Sequence, residues 1–157
     1  MTPDPAILVQ ELEEQEVRLQ FEGFTHNDAW RLGSLLRELA TERGHPVAID
    51  ITRGDQQLFH ATTAGSTADN DDWIRRKVRV VRRYEESSFL VGRRHAVAGT
   101  DFCEATGLSA ALYAAHGGSF PVKIRGAGLI GTVSVSGLPQ EDDHALVVEA
   151  IGLFLQQ

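Results

Sequence analysis

The sequence predicts an α+β protein, a three-layer α/β/α sandwich around a five-stranded antiparallel sheet. Three observations lead there. His45 to Thr63 and Phe120 to Gly137 each read as two alternating runs joined by a short glycine-containing turn, which makes two hairpins. "VRLQF", Val17 to Phe21, alternates apolar and polar residues and supplies a lone fifth strand. Helical patterns precede, separate and follow these strands, enough to cover both sheet faces.

Taken in order, Asp4 caps a helix with Pro5 in its first turn, and this helix is expected to run to about Gln15. After the lone strand, Thr25 or Asn27 caps a second helix. Its Ala29, Leu32, Leu36 and Leu39 share one stripe until Gly44 stops it. In the first hairpin Val47, Ile49 and Ile51 alternate, Arg53 to Gln56 form the turn, and Leu58 to Ala61 return. "RGD" here is turn chemistry, because Gly54 and Asp55 suit a tight backbone. A basic helix follows, then "SFLVGRRHA", then a short helix near "LSAALYAAH" ending at Gly117 and Gly118. The second hairpin turns at Gly126 and Gly128. Pro139, with Glu141, Asp142 and Asp143 at the positive end of the dipole, opens the last helix. "ALVVEAIGLFLQQ" is apolar around most of that helix, which predicts burial on two sides and, at the end of the chain, a homo-oligomer.

The 157 residues suffice for one domain, 1–157, with a core that needs no disulfide or metal. A formal net charge of -7 argues against a general polyanion binder. The single cysteine, Cys103, rules out an intramolecular disulfide. The N-terminus has no basic leader, and no run approaches the length of a membrane span, so a cytoplasmic protein is expected, without a membrane partner.

"GAGLIG", Gly126 to Gly131, matches a dinucleotide-binding fingerprint by letter, but a strand follows it where that site needs a helix. Its glycines instead suit a hairpin turn and, at Gly131, a close backbone approach. The six histidines show no metal-ligand spacing, so no metal site is expected. His116, at a predicted helix end beside two glycines, is the histidine to watch, since one imidazole suffices as an axial haem ligand. Cys103 needs a nearby histidine to act as a nucleophile, and a small buried hydrophobe is its commoner role. Ser136 lies just before the amides that follow Gly137. No known catalytic constellation is present, and catalytic residues are not assigned.

"WIRRKVRVVRRYEESS", Trp73 to Ser88, holds five arginines and a lysine. At about 100° per residue, Arg75, Arg76, Arg79, Arg82 and Arg83 fall within roughly 120° of arc. Trp73, Ile74, Val78, Val80, Val81 and Tyr84 face the other way, with Lys77 among them. The aromatics sit on the buried side and the chain is acidic, so nucleic acid is not expected as a partner. Guanidinium forks match carboxylates, which leaves a small anionic ligand, haem propionates among them, or intersubunit or intrachain pairing with acidic surfaces such as Glu11, Glu13, Glu14 and Glu16. The second of these is the preferred reading.

His116 to His144, "HGGSFPVKIRGAGLIGTVSVSGLPQEDDH", resembles the strand-turn-strand-helix signature of the GlcG/HbpS-like group. Within that group the chain is similar to the UPF family labelled "haem-degrading domain-containing". "DNDDWIRRKVRVVRRYEESSFLVGR", with the serine pair Ser87 and Ser88, adds to the likeness. The resemblance implies a profilin-like fold, assembly into homo-oligomers and haem as a possible cofactor. It suggests a small-molecule-binding or scaffold module, with a haem-binding or haem-degrading protein, or an enzyme of small organic acids, as the alternative.

Overall fold

A computed structural model describes residues 4–157. Met1 to Pro3, where the reading of the N-terminus begins, lie outside the described residues. The elements are α1 Pro5–Arg18, α2 His26–Glu42, β1 Ala48–Arg53, β2 Gln56–Thr62, α3 Ala68–Tyr84, α4 Ser88–Ala98, α5 Phe102–Thr106, β3 Ser119–Ile124, β4 Gly128–Ser136 and α6 Gln140–Leu155. The strands form one sheet in the order β2-β1-β4-β3, every neighbouring pair antiparallel. Helices α2 and α6 pack on one face and α3 and α4 on the other, with α1 lying on α4. The three-layer architecture therefore stands.

The two sheet faces differ because the strands alternate. Val47, Ile49, Ile51, Phe120, Val122, Val133 and Val135 point into the main core with Leu32, Leu36, Val147 and Ile151. The opposite face presents Asp50, Thr52, Ser119, Thr132, Ser134 and Ser136, all buried. Four of its hydroxyls pair across strands, as burial favours. Thr52 and Thr132 hydroxyls meet at 2.8 Å, and Ser134 Oγ donates to Ser119 Oγ at 2.9 Å. At Gly131 a Cβ would collide with the carbonyl oxygen of Thr52, which explains the glycine inside a central strand. Gly126 and Gly128, with φ of 82° and 94°, make the β3–β4 turn.

The sheet has four strands where five were expected. Helix α1 continues to Arg18, so Val17 lies on it, 66% exposed, and of the expected strand Phe21 alone pairs with the sheet by backbone, in a parallel bridge with Ile124. Leu19 and Phe21, two apart, anchor a connection into the core together with Phe24, and their spacing resembles a strand by periodicity alone. The helix expected at "LSAALYAAH" is also absent. Leu112 and Tyr113 close one turn on Ser109, and the Ala114 amide then bonds the carbonyl of Arg76, tying the segment across α3. The second side of α6 is covered within the chain. It packs on α2 as well as the sheet, and Phe89 lies 4.8 Å from the His144 ring, leaving Leu153 and Leu155 exposed.

Candidate functional site

Helix α3 is the wall on which the candidate site is built. Thr67 and Asn70 form its capping box, Asp69 and Asp71 occupy its first turn, and Glu85 in the left-handed region ends it. Ile74 and Val78 pack on Ala48, while Val80 packs with Val91 and Phe102. Between them Lys77 is 3% exposed, and its Nζ donates to Asp143 Oδ2 at 3.2 Å. Asp143 accepts from the Leu138 amide with its other oxygen, at 3.0 Å. Gly118 makes room, since a Cβ there would lie 2.7 Å from Lys77 Nζ. Burial holds the Lys77 ammonium below its ordinary range and raises Asp143 to about 6, outweighing their mutual attraction in both cases.

Two sets of grooves flank this wall. On one side, a groove of about 280 Å³ runs over Lys77, Ser136, Asp143 and Gln140. It shares Trp73 and His116 with a larger groove of about 420 Å³ lined by Arg76, Arg93, His95, Phe102, Cys103 and Tyr113. His116 is exposed at the junction, its ring 5.4 Å from that of Trp73. Partial burial, then the charges of Lys77, Arg76 and Arg93, hold its imidazole below the usual range, which favours the neutral form. Arg76 stacks on Trp73 at 3.9 Å and pairs with Asp72. Arg93 lies over Phe89, and its Nε is buried without a hydrogen-bond partner among the described residues. Cys103 is a free thiol in the same groove as His95, but His95 Nδ1 is engaged with Thr100 Oγ1 at 3.0 Å.

On the other side, Arg75, Arg79 and Arg82 line a groove of about 430 Å³ against β1 and β2. The expected single arginine stripe is therefore divided, because the helix seats its apolar side on the sheet and exposes both flanks. Arg76 turns to the His116 side, and Arg83 is exposed and lines neither groove. Among the described residues the acidic α1 side chains make no ion pair or hydrogen bond with α3, so the intrachain pairing is not formed. Glu13 pairs with Arg94 of α4 at 3.2 Å, and Glu16 is buried beneath Ser87. Among the described residues no three His, Cys, Asp or Glu side chains converge as a metal site would require, and no helix is long and apolar enough to cross a membrane.

A family model described as haem degrading protein HbpS-like matches residues 24–152. The chain belongs to the HbpS-like family. A UPF0303 protein of Streptomyces coelicolor is 60% identical over 98% of each chain. Among solved structures, the Ybr137w protein is 34% identical with a TM-score of 0.87, covering 94% of this chain and 87% of that one. The PduOC haem complex is 17% identical, with a TM-score of 0.69 over 83% and 94% of the two chains, a likeness of fold.

Of the residues the sequence singled out, the HbpS-like fold brings His116, Ser136 and Arg76 to one side of α3 and Arg75, Arg79 and Arg82 to the other. It does not unite them. Sequence reasoning missed Asp143 as the partner of Lys77, and Arg93 as a groove residue. The signal for the first was present, a lysine on the apolar side of a helical wheel. Arg93 carries no such mark, since its neighbours come from α3 and the segment after α5.

Proposed function

We propose that this HbpS-like chain is a non-catalytic ligand-binding module, working in the cytoplasm as a homo-oligomer, whose His116 groove takes a flat carboxylate-bearing ligand of the haem type. The observation that carries the reading is an exposed imidazole lining one groove with two arginines. Trp73, Phe102 and Tyr113 supply an aromatic lining, and Arg93 Nε is a buried donor without an acceptor among the described residues. The volume is in the range of small-molecule sites. The family description and the haem of the PduOC neighbour support haem as the ligand to try first. His116 would hold the iron and Arg76 and Arg93 the carboxylates, and bound haem supplies a redox-active iron. Addition of haem at neutral pH is expected to shift its Soret band, and His116→Ala to weaken binding at least tenfold. An unshifted band, or identical titrations of the two proteins, overturns the assignment.

Assembly is supported by apolar side chains left in solvent. Trp30 is 65% exposed and Ile7 52%, alongside Val17. These side chains lie on α1 and α2, and none of the three lines a groove beside α3. Light scattering at micromolar protein is expected to give a multiple of the 17.2 kDa chain mass, and a strict monomer removes this part of the proposal. The free thiol of Cys103 fits a reducing compartment.

A further inference from the structure

The groove on the other flank of α3 has no part in the His116 site, and its chemistry is different. Arg75, Arg79 and Arg82 stand at i, i+4 and i+7, so one helix face directs three guanidinium groups to it. Like charges at this spacing repel each other, and the arrangement gains most when an anion lies between them.

The acids of the groove do not fill that role. Asp50 Oδ1 accepts from Gln57 Nε2 at 2.5 Å, and Asp71 Oδ1 meets His60 Nε2 at 2.7 Å. Neither carboxylate is within ion-pair distance of any of the three arginines. The arginines themselves keep most of their donors. Arg79 gives one N–H to the Leu112 carbonyl, at 3.0 Å, and Arg82 one to the Gly54 carbonyl, at 2.5 Å, with a long contact of 3.7 Å to exposed Asp55. Arg75 makes no hydrogen bond or ion pair among the described residues. With five N–H groups on each guanidinium, the wall offers a surplus of charged donors. Across the groove, Asp50 Oδ2 has no protein donor among the described residues. One wall is thus rich in donors, and the floor holds a spare acceptor.

We propose that this groove is a second ligand site, for a small polyanion, a phosphate monoester or a di- or tricarboxylate, that carries a hydroxyl or amino group. Its oxyanion end lies on Arg75, Arg79 and Arg82, and its hydroxyl or amino group donates to Asp50. The 430 Å³ available suits a metabolite-sized molecule and not a macromolecule.

The test uses the full chain, with inorganic phosphate and citrate as separate probes and sodium chloride at matched ionic strength as the control. Thermal unfolding and calorimetric titration are read for wild type, Arg75→Ala and Arg83→Ala. Arg75 is exposed and has no protein partner, so its loss leaves the fold intact, and Arg83→Ala makes the same charge change outside the groove. Phosphate or citrate is expected to raise the unfolding temperature more than chloride does. Arg75→Ala is expected to weaken that binding at least tenfold while Arg83→Ala leaves it unchanged. A response to phosphate alone or to citrate alone supports the site and identifies the anion class. No response beyond chloride to either probe, or equal losses in the two variants, overturns the proposal. The haem titration of Arg75→Ala is expected to match wild type, so failure here and failure at His116 are separable.

Discussion

Replacing Lys77 by alanine is expected to destabilise the fold by about 3–5 kcal/mol at pH 8, the penalty for leaving a buried carboxylate without its counter-charge. Both partners are almost fully enclosed, at 3% and 2% exposure, so water cannot stand in for the ammonium. The Asp143 carboxylate would keep the Leu138 amide but lose Nζ. Its neutral form then becomes the better one, and the sign of the pH dependence follows. Burial already pushes the Asp143 carboxyl up to about 6, above its ordinary value. Without Lys77 that value rises further, so the variant binds a proton on folding over a wider range and its deficit shrinks as the pH falls toward 5. Urea denaturation of wild type and Lys77→Ala at pH 5 and pH 8 measures both quantities. A deficit below about 1 kcal/mol at both pH values would mean that the pair is solvated and contributes little.

The pH profile of Glu16 is expected to be nearly as large. Glu16 lies on α1 with Oε1 accepting the Ser87 amide at 3.0 Å and Oε2 buried without a partner. Burial raises its pKa to about 7 from 4.5, against the lowering effect of the Ser87 hydrogen bonds and of Lys123. An acid raised in the folded state contributes stability that is full below about 4.5 and is lost as pH rises through about 7. The size of the shift corresponds to roughly 3 kcal/mol. Glu16→Gln keeps an oxygen for Ser87 and has no charge to desolvate. The stability of wild type relative to Glu16→Gln is therefore expected to fall by about 3 kcal/mol between pH 4.5 and pH 8. His144, which burial lowers to about 4, acts in the opposite direction over an overlapping range. The comparison is for that reason made with the variant and not with wild type alone, because His144 is common to both. Parallel stability curves for the two proteins would refute the role given to Glu16.

Much of the fold was legible because it depends on local pattern. Both hairpins, the caps at Asp4 and Thr25, and the apolar side of α3 follow from spacing and turn chemistry that a few adjacent residues carry. "VRLQF" and "LSAALYAAH" misled for a physical reason. The first has alternating burial without a strand partner beyond Phe21, and the second gives its backbone amide at Ala114 to α3 instead of to its own turn. The site was harder to read because it is assembled from distant segments. The arginine stripe is visible on a wheel, but its division between two grooves depends on which flank faces the β1–β2 hairpin and which faces the segment ending at His116. Asp143 looked like an ordinary first-turn acid at a helix start. Only the approach of α3 shows it to be the partner of a lysine 66 residues away in sequence.

The buried polar contacts of α3 set the position of that helix on the sheet. Contacts between aliphatic side chains have little directional preference, so the layer formed by α2 and α6 is held by area more than by alignment. Under α3 the apolar contacts of Ile74 and Val78 with Ala48 are joined by directional ones. A slide of that helix by one turn, about 5.4 Å, would carry Lys77 away from Asp143 and the Arg76 carbonyl away from the Ala114 amide. The same few polar contacts thus act as an index mark for α3, and since α3 is the common wall of both grooves, a single setting fixes where His116 and Arg75 stand on its two sides.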